Sequence, residues 1–210
     1  GRGLSLPSPN EIAAFLSEGP LAYALRTANQ SLAEWLVMHG ADVYEVQIPD
    51  GEPANEATAL IGMVQRVLQG NPNRTPQAAR NLALIAATRL GRVEFVELLL
   101  LRFDFDVDVL NRAILVAIDH KENELAKTLY TYLVRMYERY RPQDLPAMSR
   151  SINTQALVRA IRQNNLEFIP NVLRLADVRQ AIRPLITLMM SAPREEFKKL
   201  LAVYEKVLRR

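Results

Sequence analysis

Apolar side chains return every three to four positions along almost the whole chain, and short polar, glycine- or proline-bearing breaks separate the runs. This spacing keeps one helix face apolar and predicts a succession of amphipathic helices. A helix runs from Asn10, a suitable N-cap, to Ser17, and Glu18-Gly-Pro20 stops it. Pro20 suits the first turn of the next helix, Leu21 to Ala28. After Asn29-Gln-Ser31, Leu32, Trp35 and Leu36 share a face at i, i+3 and i+4, and Gly40 is placed to cap that helix in the left-handed conformation. Residues 44–56 form a loop with a turn at Pro49-Asp-Gly51. Thr58 to Leu68 is helical by spacing, and Gly70-Asn-Pro-Asn73 ends it. Thr75 caps a long helix to Arg89, Gly91 turns the chain, and Val93 to Leu101 is strongly apolar.

Phe103-Asp-Phe-Asp-Val-Asp108 alternates with period two, as an extended segment does. Helices follow at Val109 to Ile118 and Glu124 to Tyr140, then a loop at 142–153 opened by Pro142 and Pro146. Thr154 to Gln163 pairs with Leu166 to Leu175, and Ala181 to Met190 with Pro193 to Leu208. The last helix has the clearest apolar arc: Phe197, Leu200, Leu201, Tyr204, Val207 and Leu208. The fold class is therefore all-α, with short linkers that make neighbouring helices antiparallel.

Four of the helix pairs align on a turn position, taken as Ala28, Gly91, Lys121 and Asn164. Four residues before each turn stands an alanine: Ala24, Ala87, Ala117 and Ala160. A residue that small lets the first helix of a pair approach the second closely. After the turn come the apolar pairs Leu32-Ala33, Phe95-Val96, Leu125-Ala126 and Phe168-Ile169. The core positions of the second helix are then Trp35-Leu36, Leu98-Leu99, Thr128-Leu129 and Val172-Leu173.

Two stretches bear a family resemblance. Ala33-Glu-Trp-Leu-Val-Met-His-Gly-Ala-Asp-Val43 resembles the second half of an ankyrin repeat, an outer helix of the form V-E-L-L-L-x-x-G-A-D-V entering a finger loop. Leu90-Gly-Arg-Val-Glu-Phe-Val-Glu-Leu-Leu-Leu100 resembles the family's x-G-H-x-E-V-V-E-L-L-L, and Asn164-Asn-Leu-Glu-Phe-Ile169 matches more loosely. The departures are specific. No Thr-Pro-Leu-His opens a repeat, the third turn lacks glycine, and the turns stand 63, 30 and 43 residues apart, against roughly 33 in ankyrin arrays. A degenerate unit around Thr58 to Leu68 fills the longest gap. The resemblance implies a solenoid of antiparallel helix pairs over residues 20–175, with a tail and capping helix at 1–19 and capping helices at 176–210, all in one continuous domain.

The same resemblance implies a non-enzymatic module that grips a protein partner with a concave helical face and finger loops. The fingers are Tyr44 to Gln47 and Phe103 to Asp108, with Asp104 and Asp106 among them; the inner surface is Arg26, Asn29, Arg89, Arg92 and Arg162. Those arginines suit an acidic partner. Such arrays also occur in microbial and viral effectors that act on host proteins. Tyr130-Thr-Tyr-Leu-Val-Arg-Met-Tyr-Glu-Arg-Tyr-Arg141 adds a second stripe, Tyr130, Val134, Tyr137 and Arg141, beside the core stripe Leu125, Leu129, Tyr132 or Leu133, Met136 and Tyr140. Tyrosine and arginine at helical spacing are interface residues; alternatively, Tyr130 and Tyr137 pack beneath the 142–153 loop.

Composition narrows the chemistry. The chain has no cysteine, which excludes disulfides, thiolate nucleophiles and cysteine-ligated zinc. A net charge of +3 is too small to advertise nucleic-acid binding. No apolar run approaches a membrane span, and Gly1 to Pro7 carries no signal-peptide core; the expectation is a cytoplasmic location and no membrane contact. Of the two histidines, His39 belongs to a helix end and His120 stands beside Asp119 with no nucleophile elbow anywhere in the chain. Asp104, Asp106 and Asp108 open like a calcium loop, but Val109 and Leu115 stand where that loop needs glycine and glutamate. No cofactor or metal is expected. The other function classes are a structural or oligomerisation domain of a larger assembly, and an all-helical enzyme.

Overall fold

The computed structural model describes residues 8–69 and 76–209. The expected N-terminal tail, the helix stop at 70–73 and the Thr75 cap lie outside the described residues. Every element among the described residues is helical: α1 (Pro9–Glu18), α2 (Pro20–Arg26), α3 (Gln30–Met38), α4 (Glu56–Gln69), α5 (Pro76–Arg89), α6 (Val93–Arg102), α7 (Val107–Asp119), α8 (Asn123–Tyr140), α9 (Leu145–Arg162), α10 (Ile169–Val172), α11 (Ile182–Ser191) and α12 (Arg194–Leu208). Asn10 lies inside α1 rather than capping it. The chain forms two compact units. One holds the described residues up to Leu90 together with Glu94–Leu101; the other holds Gly91–Val93 and everything from Arg102 onward.

In the first unit α2 packs on α1 and α3, and α4 packs on α2, α3 and α5. The gap between the first two turns is indeed filled by a helix, α4, which Asn55 caps by accepting the Thr58 N–H at 2.9 Å. In the second unit α7 packs on α8 and α9, α9 packs on α10 and α11, and α11 on α12.

The four aligned turns share one backbone geometry. Ala28, Lys121 and Asn164 have φ of 53°, 57° and 54°, and Gly91 has 69°. All four are left-handed, although three carry a side chain. At three of them the hydrogen bonding is that of a Schellman cap. The Asn29, Glu122 and Asn165 N–H groups donate to the Ala24, Ala117 and Ala160 carbonyls at 2.8, 2.8 and 2.7 Å. The repeated alanine is thus the residue on whose carbonyl the hairpin closes, and all four alanines are fully buried. Gly40 ends α3 the same way, with φ 84° and Ala41 N–H donating to Leu36.

Left-handed backbone costs an ordinary residue about 1–2 kcal/mol, and glycine returns part of that in chain entropy. Lys121 is exposed, so Lys121→Gly is expected to stabilise the protein by about 0.5–1 kcal/mol. A urea melt beside Lys121→Ala, which keeps the Cβ and should match the wild type, checks this.

Burial follows the same register. Seven residues before each turn, Leu21, Leu84, Ile114 and Leu157 are buried; eight after it, Leu36, Leu99, Leu129 and Val172 are buried. The residue seven after the turn is exposed in the first, second and fourth hairpins, and in the third it is the half-buried Thr128. Trp35 is therefore 52% exposed, stacked on His39 at 4.0 Å, and Leu98 is also exposed. This corrects the placement of both in the core. In the fourth hairpin the core residue is Val172, while Leu173, its expected partner, is only half-buried.

Three further expectations change. The segment 142–153 is not a loop: Pro142 opens a 3-10 turn and Pro146 sits in the first turn of α9, where a missing N–H costs nothing. Leu166 to Leu175 is helical only over the four residues of α10, with turns on both sides. The α12 arc is only partly covered. Leu200 and Val207 are buried, whereas Phe197, Leu201 and Leu208 are exposed, as are Ile186 and Met190 on α11. In the Phe103–Asp108 finger Phe103 is a bend, Asp104 to Asp106 have no regular structure with Asp106 itself extended, and α7 begins at Val107. Phe105 is buried, Val107 half-buried, and Asp104, Asp106 and Asp108 are exposed.

Candidate protein-binding surface

On α7, Arg112, Val116 and Asp119 stand at i, i+4 and i+7; on the neighbouring α9, Gln155, Arg159 and Arg162 do the same. Both stripes lie opposite the buried positions Ile114, Ala117, Leu157 and Ala160. Arg112, Gln155 and Arg162 are exposed. The stripes are joined at two points. Asp119 Oδ2 accepts from Arg159 Nη1 at 3.0 Å, and Asn111 Nδ2 donates to Gln155 Oε1 at 3.1 Å. With Asp108 exposed one turn before Arg112 on the same stripe, three arginines stand against two aspartates; the surface is mildly basic, and it is fixed on two packed helices rather than on loops.

Beneath it the second and third turns of this unit are stitched together. Asn165, 2% exposed, donates through Nδ2 to Ile118 O at 3.0 Å and to Asn123 Oδ1 at 2.8 Å, and Asn123 Nδ2 returns a bond to Asn165 Oδ1 at 3.3 Å. The same device recurs in the first unit, where Asn55 Nδ2 donates to Leu25 O at 3.2 Å. Leu25 and Ile118 hold equivalent places, three residues before their turns.

The residues expected in recognition divide into those left available and those with an internal task. Arg89 and Arg162 are exposed at the position two before the turn. Arg26 holds that position too, but its Nε bonds both oxygens of Glu18, at 2.8 and 3.0 Å, and its guanidinium lies over the Tyr23 ring. Those bonds hold the Glu18 carboxyl below its usual range. A depressed carboxyl contributes stability above its ordinary pKa and loses it as pH falls through the folded-state value; this exposed pair is screened by solvent and the contribution is small. Asn29 caps α3 by accepting the Leu32 N–H at 3.1 Å. Tyr44 donates to Gln65 O at 2.9 Å, and Gln65 in turn holds the Val43 and Val46 carbonyls, so this finger is fastened to α4. Arg92 and Phe103 are half-buried. Asp104 lies close to α8: burial chiefly, then the Asp104 charge, raises the Tyr132 hydroxyl pKa.

The tyrosine stripe is covered. Tyr137 is 7% exposed. Tyr130 Oη shares a hydrogen bond with Ser149 Oγ at 2.6 Å and accepts from Asn153 Nδ2 at 3.1 Å. Of the two readings of this stripe, packing beneath 142–153 is the one the structure realises, with α9 as the cover. Tyr137 takes the core place expected of Tyr140, which is exposed. Arg141 bonds Asp144 at 2.9 Å and lies over the Tyr137 ring. Tyr137 therefore has little surface to offer a partner, whereas Tyr130 is half-buried.

The histidines are placed as helix ends. His39 Nδ1 bonds Trp35 O at 2.7 Å. His120 is an exposed C-cap of α7, and its neighbour Asp119 is committed to Arg159. Among the described residues no three His, Asp or Glu side chains gather as a metal site requires, and no helix is long and apolar enough to cross a membrane. Arg112, Arg159 and Gln155 are surface residues that the turn-centred alignment passes over; the signal that finds them is their spacing opposite the core stripe. No protein-family model, curated protein or solved structure matches the chain.

Proposed function

We propose that this chain is a non-enzymatic protein-binding module, a divergent helical repeat of ankyrin-like type, and that the basic face of α7 and α9 engages an acidic partner. One observation carries the reading. Four hairpins share the same left-handed turn, the same buried alanine and the same buried positions on both sides, and three of them close on that alanine's carbonyl. A hairpin repeated in this way also repeats its outward positions, and within the second unit α7 and α9 pack side by side, so their outward positions form one recognition surface. The three arginines on that face give the partner its chemistry: carboxylates, which guanidinium groups bind with paired hydrogen bonds.

The test is affinity capture with the wild type and with Arg112→Glu/Arg162→Glu, both first shown to melt alike. Reversing two exposed charges is expected to weaken retention of the partner by about tenfold or more. Equal capture by the two proteins would sink the assignment of this face.

A second reading, a docking domain of a larger assembly, draws on the apolar side chains that α11 and α12 leave exposed, Met190 at 84% above all. Size measurement across a concentration series separates the two. Self-association abolished by Met190→Lys supports the second; a monomer at all concentrations removes self-association as its basis.

A further inference from the structure

The second unit contains an open cleft of about 450 Å³ lined by residues that include Arg150, Asp177, Arg179, Ile182, Val207 and Leu208. That volume lies within the roughly 300–1,000 Å³ of small-molecule sites. Its polar side is assembled by three interactions. Asp177 N–H donates to Thr154 Oγ1 at 2.7 Å, which ties the segment after α10 to α9. Asp177 Oδ1 accepts from Arg179 N–H at 3.3 Å as the cap of the following 3-10 turn. The Arg179 side chain then folds back to bond Oδ1 through Nε at 3.0 Å and Oδ2 through Nη2 at 3.2 Å.

This arrangement commits the carboxylate. Asp177 and Arg179 neutralise each other, so the second cation, Arg150, is left over. Its field reaches Asp177, but among the described residues it has no ion pair of its own. The rest of the lining is aliphatic, and includes Ile182 from the start of α11 and Val207 and Leu208 from the end of α12. Leu208 is 56% exposed at the rim. A cation with no ion pair of its own beside aliphatic side chains suits a ligand with an apolar body and one negative end, because burying the body gains hydrophobic energy and a guanidinium takes a carboxylate with geometric specificity.

We propose that this cleft binds an aliphatic carboxylate, its chain against Ile182, Val207 and Leu208 and its charged end on Arg150. Two sources share that chemistry: a free acyl acid, and the C terminus of a peptide ending in an aliphatic residue. The site is separate from the α7 and α9 face and does not depend on it.

Calorimetric titration of the full chain tests the proposal. The probes are octanoate, octan-1-ol, and a tetrapeptide ending in leucine with its C terminus either free or amidated. Octanoate or the free-carboxylate peptide is expected to bind saturably, with octanol and the amidated peptide about tenfold weaker or worse. Arg150→Gln is expected to remove the advantage of the charged probes, and Leu208→Asp to abolish binding. Both replace exposed side chains, and circular dichroism checks the fold. Tighter octanoate identifies the free acid as the source, and tighter peptide the chain terminus. Arg112→Glu/Arg162→Glu should bind the probes as the wild type does, so failure of the partner-binding reading leaves this result intact. Charged and uncharged probes binding alike, or no saturation by either charged probe up to about 10 mM, would overturn the proposal.

Discussion

Replacing Asn165 with alanine is expected to destabilise the second unit by about 2–3 kcal/mol, because a buried amide that satisfies two partners disappears and nothing replaces it. Asn165 sits in the turn of the fourth hairpin, and its side chain spends both amide functions on the third. Nδ2 donates to Ile118 O and Asn123 Oδ1, and Oδ1 accepts from Asn123 Nδ2. The backbone bond that closes its own hairpin, to Ala160 O at 2.7 Å, survives the substitution. Ile118 O keeps the Lys121 N–H at 3.1 Å. What is stranded is the Asn123 amide, together with a void where Asn165 stood. Asn165→Asp should be at least as damaging, since it removes the donor and buries a charge. In a double-mutant cycle with Asn123→Ala the two losses should overlap by about 1 kcal/mol, as interacting neighbours do. Urea melts supply all four corners. An Asn165→Ala protein within about 0.5 kcal/mol of the wild type, the range of an inert surface change, would show that the amide pair does not hold these hairpins together.

That pair explains part of what could be read from the residues and what could not. The four turns are legible because each is preceded at a fixed distance by a small residue and followed by an apolar doublet. Their left-handed geometry is announced by glycine only at Gly91; Ala28 and Lys121 adopt it because both flanking helices are held by packing. Register after the turn is not legible, because both candidate positions are apolar in the first two hairpins. Trp35 and Leu98 look like core residues until their neighbours Leu36 and Leu99 are seen to occupy the core. The first half of α9 is hidden for a different reason. It buries Asn153 and Thr154, polar residues that satisfy themselves on Ser149 O, Tyr130 Oη and Arg150 O. A helix with polar residues in its core has no clean apolar stripe to find. The surface was half legible. Arg89 and Arg162 are named by their place beside a turn, whereas Arg112 and Arg159 need the knowledge that α7 lies against α9. The second tyrosine stripe is real as a pattern, and its reason is that α8 is covered on two sides, by α7 and by α9.

Enlarging the repeated alanine is expected to be the most damaging single change. Ala117→Leu or Ala160→Leu should cost about 3 kcal/mol, at the upper end for overpacking, or abolish cooperative unfolding. Both alanines are fully buried from solvent. Each also carries the carbonyl that closes its turn at 2.8 or 2.7 Å, so the backbone cannot move aside to admit a larger side chain without opening the Schellman bond. Ala160→Gly separates size from presence. It removes one methyl group and adds backbone entropy, and should cost only about 1 kcal/mol. Trp35→Leu is the control for register. It deletes the largest side chain in the chain at an outward position, and should shift stability by no more than about 0.5 kcal/mol, as surface substitutions do. Circular-dichroism melts serve for the whole set, because Trp35 is the only tryptophan and its fluorescence is lost in that variant. If Trp35→Leu were as costly as Ala160→Leu, the outward position seven after the turn would be a core position after all. If leucine were tolerated at both alanines, the helices of these hairpins would not be in close approach, and the alanine would mark only the turn.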